Sequence, residues 1–357
     1  MSIRELTDCF YTFFTKNGYD KIEPVGLLSP LFPRTFNPSG GHEVLVPIVK
    51  SKQPFKIRKF SLIDQCFREI DLGVIGHSHH LSFLNMAVFA QVGEFALLSK
   101  EEIIKLLYEF LVSEISLNKE KIIITLFGGG EIENVNLPPD EESAKYWKKT
   151  GIIENNIHFL KGRRNFVYTR KEEHPGGPSC EIFFDRGDNY PYVNRFIEIA
   201  SINMYTYVFS GGKFKETVNG GFGAGFGLER ILMVLGDYKT IYEIETFAPL
   251  VDICISMDKN IISQQIYRRH INIIADHIRA ISFIISNGQV IDNSPRGRIL
   301  KRLIKRILSE MIYLGLDPKL TCRKLVSKIV EMNNLQMYES KILSIIENFI
   351  DKNSFEN

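Results

Sequence analysis

Residues 225–230 read Gly-Phe-Gly-Leu-Glu-Arg, and residues 67–69, much earlier in the chain, read Phe-Arg-Glu. Glycines in a strand let a ligand approach the backbone closely, and the arginine that follows them, Arg230, can reach a phosphate. Arg68 carries the planar guanidinium that binds an α-phosphate or a carboxylate through two hydrogen bonds, and Glu69 beside it can orient a nucleotide. Taken alone, each motif is better explained by close strand packing or by a surface ion pair.

The hydrophobic pattern mixes helices and strands without a regular strand–helix–strand alternation. It predicts helices at 3–17, 101–115 and 141–149, strands at 44–49, 60–67, 121–126, 181–185 and 195–209, and a largely helical region from 264 onward. This order favours an antiparallel sheet with helices packed on it over a doubly wound fold. We therefore predict an α+β fold, with a sheet-containing domain at 1–257 and an all-α domain at 258–357.

The composition is that of an ordinary globular protein, with 44% hydrophobic and 24% charged residues. No apolar run approaches the roughly 20 residues that span a bilayer, and residues 1–5 do not resemble the start of a signal peptide. We therefore expect a cytoplasmic protein that does not enter membranes. The five cysteines are scattered without a Cys-x-x-Cys pair, which argues against a disulfide framework and a cysteine-based zinc site.

The charge is unevenly distributed along the chain. The net charge is +2, but residues 258–357 hold 16 Lys and Arg against 10 Asp and Glu, so the remainder is net negative. A basic C-terminal part favours a polyanionic partner, although the solvated faces of ordinary helices have the same composition.

Several longer motifs, in a fixed order, resemble those of a known family. Residues 177–187 read Gly-Pro-Ser-Cys-Glu-Ile-Phe-Phe-Asp-Arg-Gly, residues 275–280 read Ala-Asp-His-Ile-Arg-Ala, and residues 296–302 read Arg-Gly-Arg-Ile-Leu-Lys-Arg. Together with 67–69 and 225–230, these motifs follow the order found in the alanyl-tRNA synthetases. From residue 3 to about residue 316, the chain resembles the N-terminal part of these class II aminoacyl-tRNA synthetases.

The resemblance implies an enzyme that binds ATP and Mg²⁺ on an antiparallel sheet and activates a carboxylate as an acyl-adenylate. Arg68 would stabilise the charge that develops on the α-phosphate and Arg230 would hold the γ-phosphate, so these two are the expected catalytic residues. Such chemistry depends on positioning and electrostatics and requires no covalent nucleophile. The implied cofactor-binding residues are Arg68, Glu69, His79, Glu181, Asp185, Gly225, Gly227, Glu229 and Arg230, among which Glu181 and Asp185 are the implied Mg²⁺ ligands.

Two further features have alternative explanations. His77, His79 and His80 could be zinc ligands, but no second ligand cluster stands at a convincing spacing, and contact of His79 with the ATP phosphates or a structural role is favoured. Cys180, beside Glu181, is more simply explained by packing than by nucleophilic catalysis.

The segment after Gly297 predicts an amphipathic helix with one apolar and one cationic face. A cationic stripe suits an RNA backbone and gives affinity without sequence choice, although a solvated helix face has the same pattern. The resemblance favours binding of a tRNA acceptor stem. The expected RNA-binding residues are Asn293, Arg298, Lys301, Arg302, Lys305 and Arg306.

The amino-acid pocket departs from the family pattern. The family's third motif begins Asp-Thr-Gly, and its Asp holds the amino group of alanine, whereas this chain has Gly223 and Ala224 at those positions. Where the family reads Trp-Asn-Leu-Val-Phe, residues 200–204 read Ala-Ser-Ile-Asn-Met. The expected pocket residues are therefore Ser201, Asn203 and Gly223, and the pocket is rebuilt.

The chain ends at Asn357 without counterparts of the family's editing and C-terminal domains, so we expect no proofreading within it. Three functions stay open: an enzyme that activates a small amino or carboxylic acid, a non-catalytic paralogue that binds RNA or regulates, and a fragment completed by a second chain. The enzyme is favoured, with a tRNA acceptor stem or a carrier protein as the acceptor and a homodimer as one expected assembly.

Overall fold

The structure is a computed structural model that describes residues 1–41, 59–69, 75–76, 78–93, 98–168, 174–257 and 264–353. The helices are α1 (Ile3–Lys16), α2 (Lys100–Tyr108), α3 (Glu141–Lys149), α4 (Tyr192–Arg195), α5 (Leu228–Leu235), α6 (Ala248–Met257), α7 (Gln264–Ser286), α8 (Pro295–Tyr313), α9 (Pro318–Asn333) and α10 (Glu339–Asn353). The predicted strand at 44–49 and His77 lie outside the described residues.

The strands form one large sheet and one small one. They are β1 (Asp20–Lys21), β2 (Lys59–Phe67), β3 (Ser82–Gly93), β4 (Ile122–Phe127), β5 (Gly130–Ile132), β6 (Val135–Leu137), β7 (Ile157–Leu160), β8 (Phe166–Val167), β9 (His174–Asp185), β10 (Phe196–Ser210) and β11 (Lys213–Gly227). The large sheet has the order β1-β2-β3-β11-β10-β9-β4-β7, with β8 paired to β9, and the small sheet pairs β5 with β6.

The sheet is mixed, because β1 pairs with β2 and β4 pairs with β7 in parallel. The pairs β3–β11, β11–β10, β10–β9 and β9–β4 are antiparallel, as predicted for the body of the sheet. Helices flank this sheet, and from residue 264 the described chain is helical apart from turns. The predicted fold class, α+β with a helical C-terminal part, is confirmed.

One face of the sheet packs on α1 through an aromatic cluster. Helix α1 begins at Ser2, whose hydroxyl accepts from the backbone of Glu5 in a capping box. Its buried Phe10 lies 5.8 Å from the ring of Phe110 and 6.2 Å from that of Phe226 on β11. Because successive strand residues alternate between faces, this packing assigns Phe222, Ala224 and Phe226 of β11 to the core and Gly223 and Gly225 to the other face.

Most predicted elements are found within a few residues of their expected bounds. The predicted helix at 101–115 consists of α2 followed by a π-helical turn, Glu109–Glu114. The segment at 131–175, in which only the helix at 141–149 is predicted, also contains short strands. These strands are only two to four residues long, too short to produce a recognisable alternation of apolar and polar residues.

The chain divides into two compact units, each assembled from separate segments. The first comprises Met1–Pro24, Ser39–Asp64 and Leu84–Leu235, and the second comprises Val25–Pro38, Gln65–Phe83 and Gly236–Asn357. The domain boundary at 257/258 stays a prediction. Among the described residues, no helix combines the length and the apolar character needed to cross a membrane.

We predict that Phe110→Ala lowers the free energy of unfolding by about 3–5 kcal/mol, because it removes a fully buried ring from the α1 cluster. The matched control is Phe159→Ala, since the Phe159 side chain is 43% exposed; it should change stability by less than about 0.5 kcal/mol. Urea denaturation followed by circular dichroism measures both. Equal effects of the two substitutions would contradict the assignment of this core.

Candidate active site

Neighbouring strands place the predicted pocket residues on one face of the sheet. Gly225 of β11 lies opposite Ser201 of β10, and Gly223 lies opposite Asn203. Ser201 in turn lies opposite Glu181 of β9. Because directly opposed residues of antiparallel strands point to the same face, the Ser201, Asn203 and Glu181 side chains stand beside a floor of glycine backbone.

The space over Gly223 is filled by Phe89, which lies opposite it on β3. A Cβ at position 223 would lie 2.5 Å from Cε1 of Phe89 and 3.4 Å from the ring of Tyr205. The Phe89 ring packs against Phe60, with 4.9 Å between centroids, and a Cβ at Gly41 would lie 2.0 Å from it. An acidic side chain therefore does not fit at position 223 while Phe89 keeps this place.

Sequence reasoning missed Phe89, although it identified Gly223. The Asn203 side chain also has a partner, because its amide hydrogen-bonds the Tyr205 hydroxyl. Burial raises the pKa of Tyr205. This part of the predicted pocket thus contains the Phe89 ring and a hydrogen-bonded pair, the Asn203 amide and the Tyr205 hydroxyl.

Two carboxylates, Glu181 and Glu198, lie on neighbouring strands β9 and β10. Burial and repulsion from Glu198 raise the pKa of Glu181, while a hydrogen bond with Thr125 acts in the opposite direction. A carboxyl group in this state gains from any cation that comes near. Sequence reasoning identified Glu181 and missed Glu198, which stands in the same strand as Ser201, three residues earlier.

Arg230 lies in the first turn of α5 and contacts Glu198. Its Nη1 donates to the Glu198 carbonyl oxygen at 3.0 Å and to Oε2 of the same residue at 3.1 Å. The adjacent Glu229 is fully buried, and its carboxylate accepts from the Leu84 backbone N–H at 3.0 and 3.2 Å. Glu229 therefore holds the start of β3 here, and its predicted contact with a nucleotide stays a prediction.

Asp185 forms a two-pronged ion pair with Arg195. Its oxygens accept from Nε and Nη2 of Arg195 at 2.6 and 2.7 Å, and the Gly187 N–H also donates to it at 2.8 Å. These hydrogen bonds hold the pKa of Asp185 below its ordinary value. Both carboxylate oxygens are engaged by hydrogen bonds, so Mg²⁺ would compete with Arg195 for Asp185, whose binding of Mg²⁺ stays a prediction.

In the second unit, Arg68 follows the last residue of β2 and lies against Phe83. Its guanidinium carbon lies 4.9 Å from the Phe83 ring, and its Nε donates to the Pro38 carbonyl at 3.3 Å. The backbone N–H of Arg68 donates to the Leu81 carbonyl at 3.0 Å. The position of Arg68 is thus fixed by its backbone and by one nitrogen of its side chain.

The other predicted residues of this region, Glu69 and His79, lie nearer the solvent. Glu69 pairs with Arg302 of α8 at 2.6 Å. His79 is exposed, and its ring lies 3.5 Å from the Ser78 hydroxyl. Their predicted contacts with a nucleotide stay predictions.

Helix α8 has the two faces that the sequence predicts. Ser294 caps its N-terminus by accepting from the Gly297 N–H, and Pro295 occupies the first turn. Its buried apolar residues are Ile299, Leu300, Leu303, Ile304, Ile307 and Met311. Two of its cationic residues have partners: Arg298 donates to the exposed Asn293 carbonyl and Arg302 pairs with Glu69. Lys301 and Lys305 are exposed and pair with no described carboxylate. Arg306, half-buried, lies 3.9 Å from Glu310.

The described residues contain no group of three or more His, Cys, Asp and Glu side chains that could hold a metal ion. The Cys180 thiol is buried, and burial raises its pKa well above the ordinary value. A thiol in that state is a poor nucleophile, in agreement with the packing role expected for Cys180.

Comparison with known proteins identifies relatives over most of the chain. The family model described as tRNA synthetases class II (A) matches residues 5–355. The chain is 27% identical over 333 residues to an alanine–tRNA ligase from Borrelia hermsii, covering 89% of this chain and 55% of that protein. It is 27% identical over 338 residues to an alanine–tRNA ligase from Rubrobacter xylanophilus, covering 89% and 37%.

The chain therefore spans about half, or less, of the length of these relatives. Among solved structures, a pyrrolysyl-tRNA synthetase from Desulfitobacterium hafniense is similar with a TM-score of 0.40 at 12% identity, covering 68% of this chain and 72% of that one. None of these comparisons supports a carrier-protein acceptor or a homodimer.

We predict that Gly223→Ala lowers the free energy of unfolding by about 1–3 kcal/mol, because the added Cβ overlaps the Phe89 ring. The matched control in the same strand is Gly227→Ala, whose Cβ would have no neighbour nearer than 3.5 Å. It should be neutral or slightly stabilising. In a Phe89→Ala background the penalty at position 223 should disappear; an unchanged penalty in chemical denaturation would contradict this packing.

The raised pKa of Glu181 predicts how its removal depends on pH. The folded-state pKa lies above the value of 4.5 for an unperturbed carboxyl, so the contribution of Glu181 to stability falls as the pH rises through this range. Glu181→Gln should therefore gain stability relative to wild type between pH 4 and pH 7. The control, Glu216→Gln on the exposed surface of β11, should not gain stability relative to wild type over this pH range. Urea titrations at pH 4 and pH 7 measure the free energy of unfolding of both variants. A Glu181→Gln variant that becomes less stable relative to wild type towards pH 7 would contradict the prediction.

Proposed function

The chain belongs to the class II tRNA synthetases, and we propose that it activates a small amino or carboxylic acid with ATP as an acyl-adenylate. The observation that carries this proposal is the shared face of β9, β10 and β11, where Glu181, Ser201 and Asn203 surround the glycine backbone. Such a face places a carboxyl, a hydroxyl and an amide, groups that can orient a small polar ligand, beside backbone that carries no Cβ.

In the proposed reaction, a carboxylate oxygen of the acid attacks the α-phosphorus of ATP. The bond from that phosphorus to the bridging oxygen breaks, and pyrophosphate leaves with the electron pair. Arg68 would neutralise the charge that develops on the α-phosphate, and its Nη nitrogens suit this because only Nε is used by Pro38. Arg230 would hold the γ-phosphate, exchanging part of its contact with Glu198.

Mg²⁺ would supply further neutralisation of the phosphates. Glu181 and Glu198 fit such a cation, since carboxylate oxygens are its preferred protein ligands, and burial together with repulsion from Glu198 raises the pKa of Glu181. Asp185 would join them in competition with Arg195, which holds both of its oxygens.

The pocket supports a substrate other than alanine. No carboxylate fits at Gly223 while Phe89 stands over it, so an α-ammonium group would find a ring there in place of a counter-ion. An acid with an apolar group at this point, with or without an amino group elsewhere, fits better.

We propose a tRNA acceptor stem as the acceptor of the acyl group, with Asn293 and the cationic face of α8 as its contact. The exposed Lys301 and Lys305 supply charge that no described carboxylate neutralises, and such residues suit a phosphate backbone. Binding through this face would be strongly salt-dependent.

A non-catalytic paralogue is the second candidate. The presence of Gly223 in place of the family's aspartate favours it too, because Phe89 fills the part of the face next to Gly223. It predicts RNA binding through α8 without pyrophosphate exchange.

The decisive measurement is ATP–pyrophosphate exchange across a panel of amino acids and simple carboxylic acids, with and without total tRNA. Exchange with one acid, lowered about 10²–10³-fold by Arg68→Ala, is the expected result. The matched control is Arg4→Ala, since Arg4 is exposed on α1; it should leave exchange unchanged. Absence of exchange with every acid, together with no detectable ATP binding, would contradict the enzyme and favour the paralogue.

A further inference from the structure

The two chain segments that flank residues 70–80 meet at one backbone hydrogen bond. The Arg68 N–H donates to the Leu81 carbonyl at 3.0 Å, while the preceding Phe67 N–H donates to the Asn37 carbonyl at 2.8 Å. The location of the Arg68 backbone therefore depends on the location of Leu81. What fixes Leu81 also fixes the point from which the Arg68 guanidinium reaches out.

Helix α7 holds Leu81 and the next residue from almost 200 residues further along the chain. Oδ1 of Asp276 accepts from the Leu81 N–H at 2.9 Å. A guanidinium nitrogen of Arg279 donates to the Ser82 carbonyl. Leu81 is thus bound through both of its backbone polar groups, by Asp276 on one and by Arg68 on the other.

The side chains of Asp276 and Arg279 are themselves held in place by further contacts. Oδ2 of Asp276 lies 3.1 Å from Nδ1 of His277, so both oxygens of this carboxylate have partners. The Arg279 guanidinium lies 5.2 Å from the Phe247 ring and 4.8 Å from the Phe283 ring. Neither side chain can swing away without breaking contacts that have no solvent substitute.

This arrangement is costly for a helix that only needs to pack. Asp276 and Arg279 are each only 1% exposed, and burying charged groups carries a desolvation penalty that well-packed apolar residues would avoid. Asp276 and Arg279 supply directional hydrogen bonds to two successive residues, Leu81 and Ser82, which apolar side chains could not supply.

We propose that Asp276 and Arg279 are positioning residues for Arg68, acting through Leu81 and Ser82. This inference rests on the proposed function, in which Arg68 contacts the α-phosphate. It assigns residues 275–280, which resemble part of a tRNA-recognising region, to the support of the catalytic arginine. Because these side chains are buried, they do not touch RNA from within the folded chain.

The test is a double-mutant cycle in pyrophosphate exchange. Asp276→Ala alone should lower kcat about tenfold or more, with a smaller change in KM for the acid, because the transition-state contact of Arg68 is misplaced. In an Arg68→Lys background, the same substitution should cost less than about twofold, since two residues that act through one contact are not additive. Full additivity would overturn the proposal.

Two variants separate positioning from general loss of stability. Asp276→Asn keeps an oxygen that can accept from Leu81, and His277 can adapt by changing its tautomer, so exchange should recover to within about threefold of wild type. Ser282→Ala removes another buried polar group of α7, whose hydroxyl only bonds the Ile278 carbonyl, and should leave exchange unchanged. A loss with Ser282→Ala equal to that with Asp276→Ala would overturn the proposal.

Amide hydrogen exchange provides a readout that needs no activity. In Asp276→Ala the Arg68 and Leu81 amides should exchange about tenfold faster or more, while α1 amides keep their wild-type rates. If Asp276→Ala fails to fold, Arg279→Lys is measured in the same way. Wild-type protein without pyrophosphate exchange would contradict the proposed function alone; unchanged protection at Arg68 in these variants would overturn the positioning role.

Discussion

The antiparallel pairing of β10 with β11 is the constraint on which the candidate site depends. It buries Phe222 and Phe226 on one face, where Phe226 packs on Phe10 of α1, and turns Gly223 and Gly225 to the opposite face. Because side chains alternate along a strand, a shift of register by one residue would bury the polar set of the site and expose the aromatic rings. The energy that holds the core together therefore also selects the one register in which Glu181, Ser201 and Asn203 meet the glycine backbone.

Local patterns predicted most of the elements and the glycine floor, because periodicity and short motifs are properties of neighbouring residues. Phe89 and Glu198 could not be found in this way. Phe89 matters only because β3 pairs with β11 across more than a hundred residues, and that pairing leaves no local trace in the sequence. Glu198 lies within a predicted strand, but its importance comes from Arg230 and Glu181, which reach it from a helix and a neighbouring strand.

Residues 275–280 illustrate a different limit of sequence reasoning. Charged side chains on a helix usually lie at the surface, and there they favour a polyanion as partner. Here Asp276, His277 and Arg279 are buried, and their contacts are with backbone groups of Leu81 and Ser82 and with aromatic rings. Only the tertiary structure distinguishes the two arrangements, because the same residues at the same helical spacing fit both.

The groups proposed for activation and those proposed for acid selection are distinct, so one set can change while the other is kept. In the predicted pocket the Phe89 ring lies over Gly223, so an α-ammonium group would meet no counter-ion at this position. Glu181 has the opposite character, since it stands close to a second carboxylate and its pKa is raised by burial and by that neighbour. A glutamine would keep an oxygen for Thr125 and avoid the repulsion. Burial and the neighbouring Glu198 carboxylate make this a position where a cation would be favoured. Cation binding here is required by the proposed enzyme and is not required by the non-catalytic paralogue.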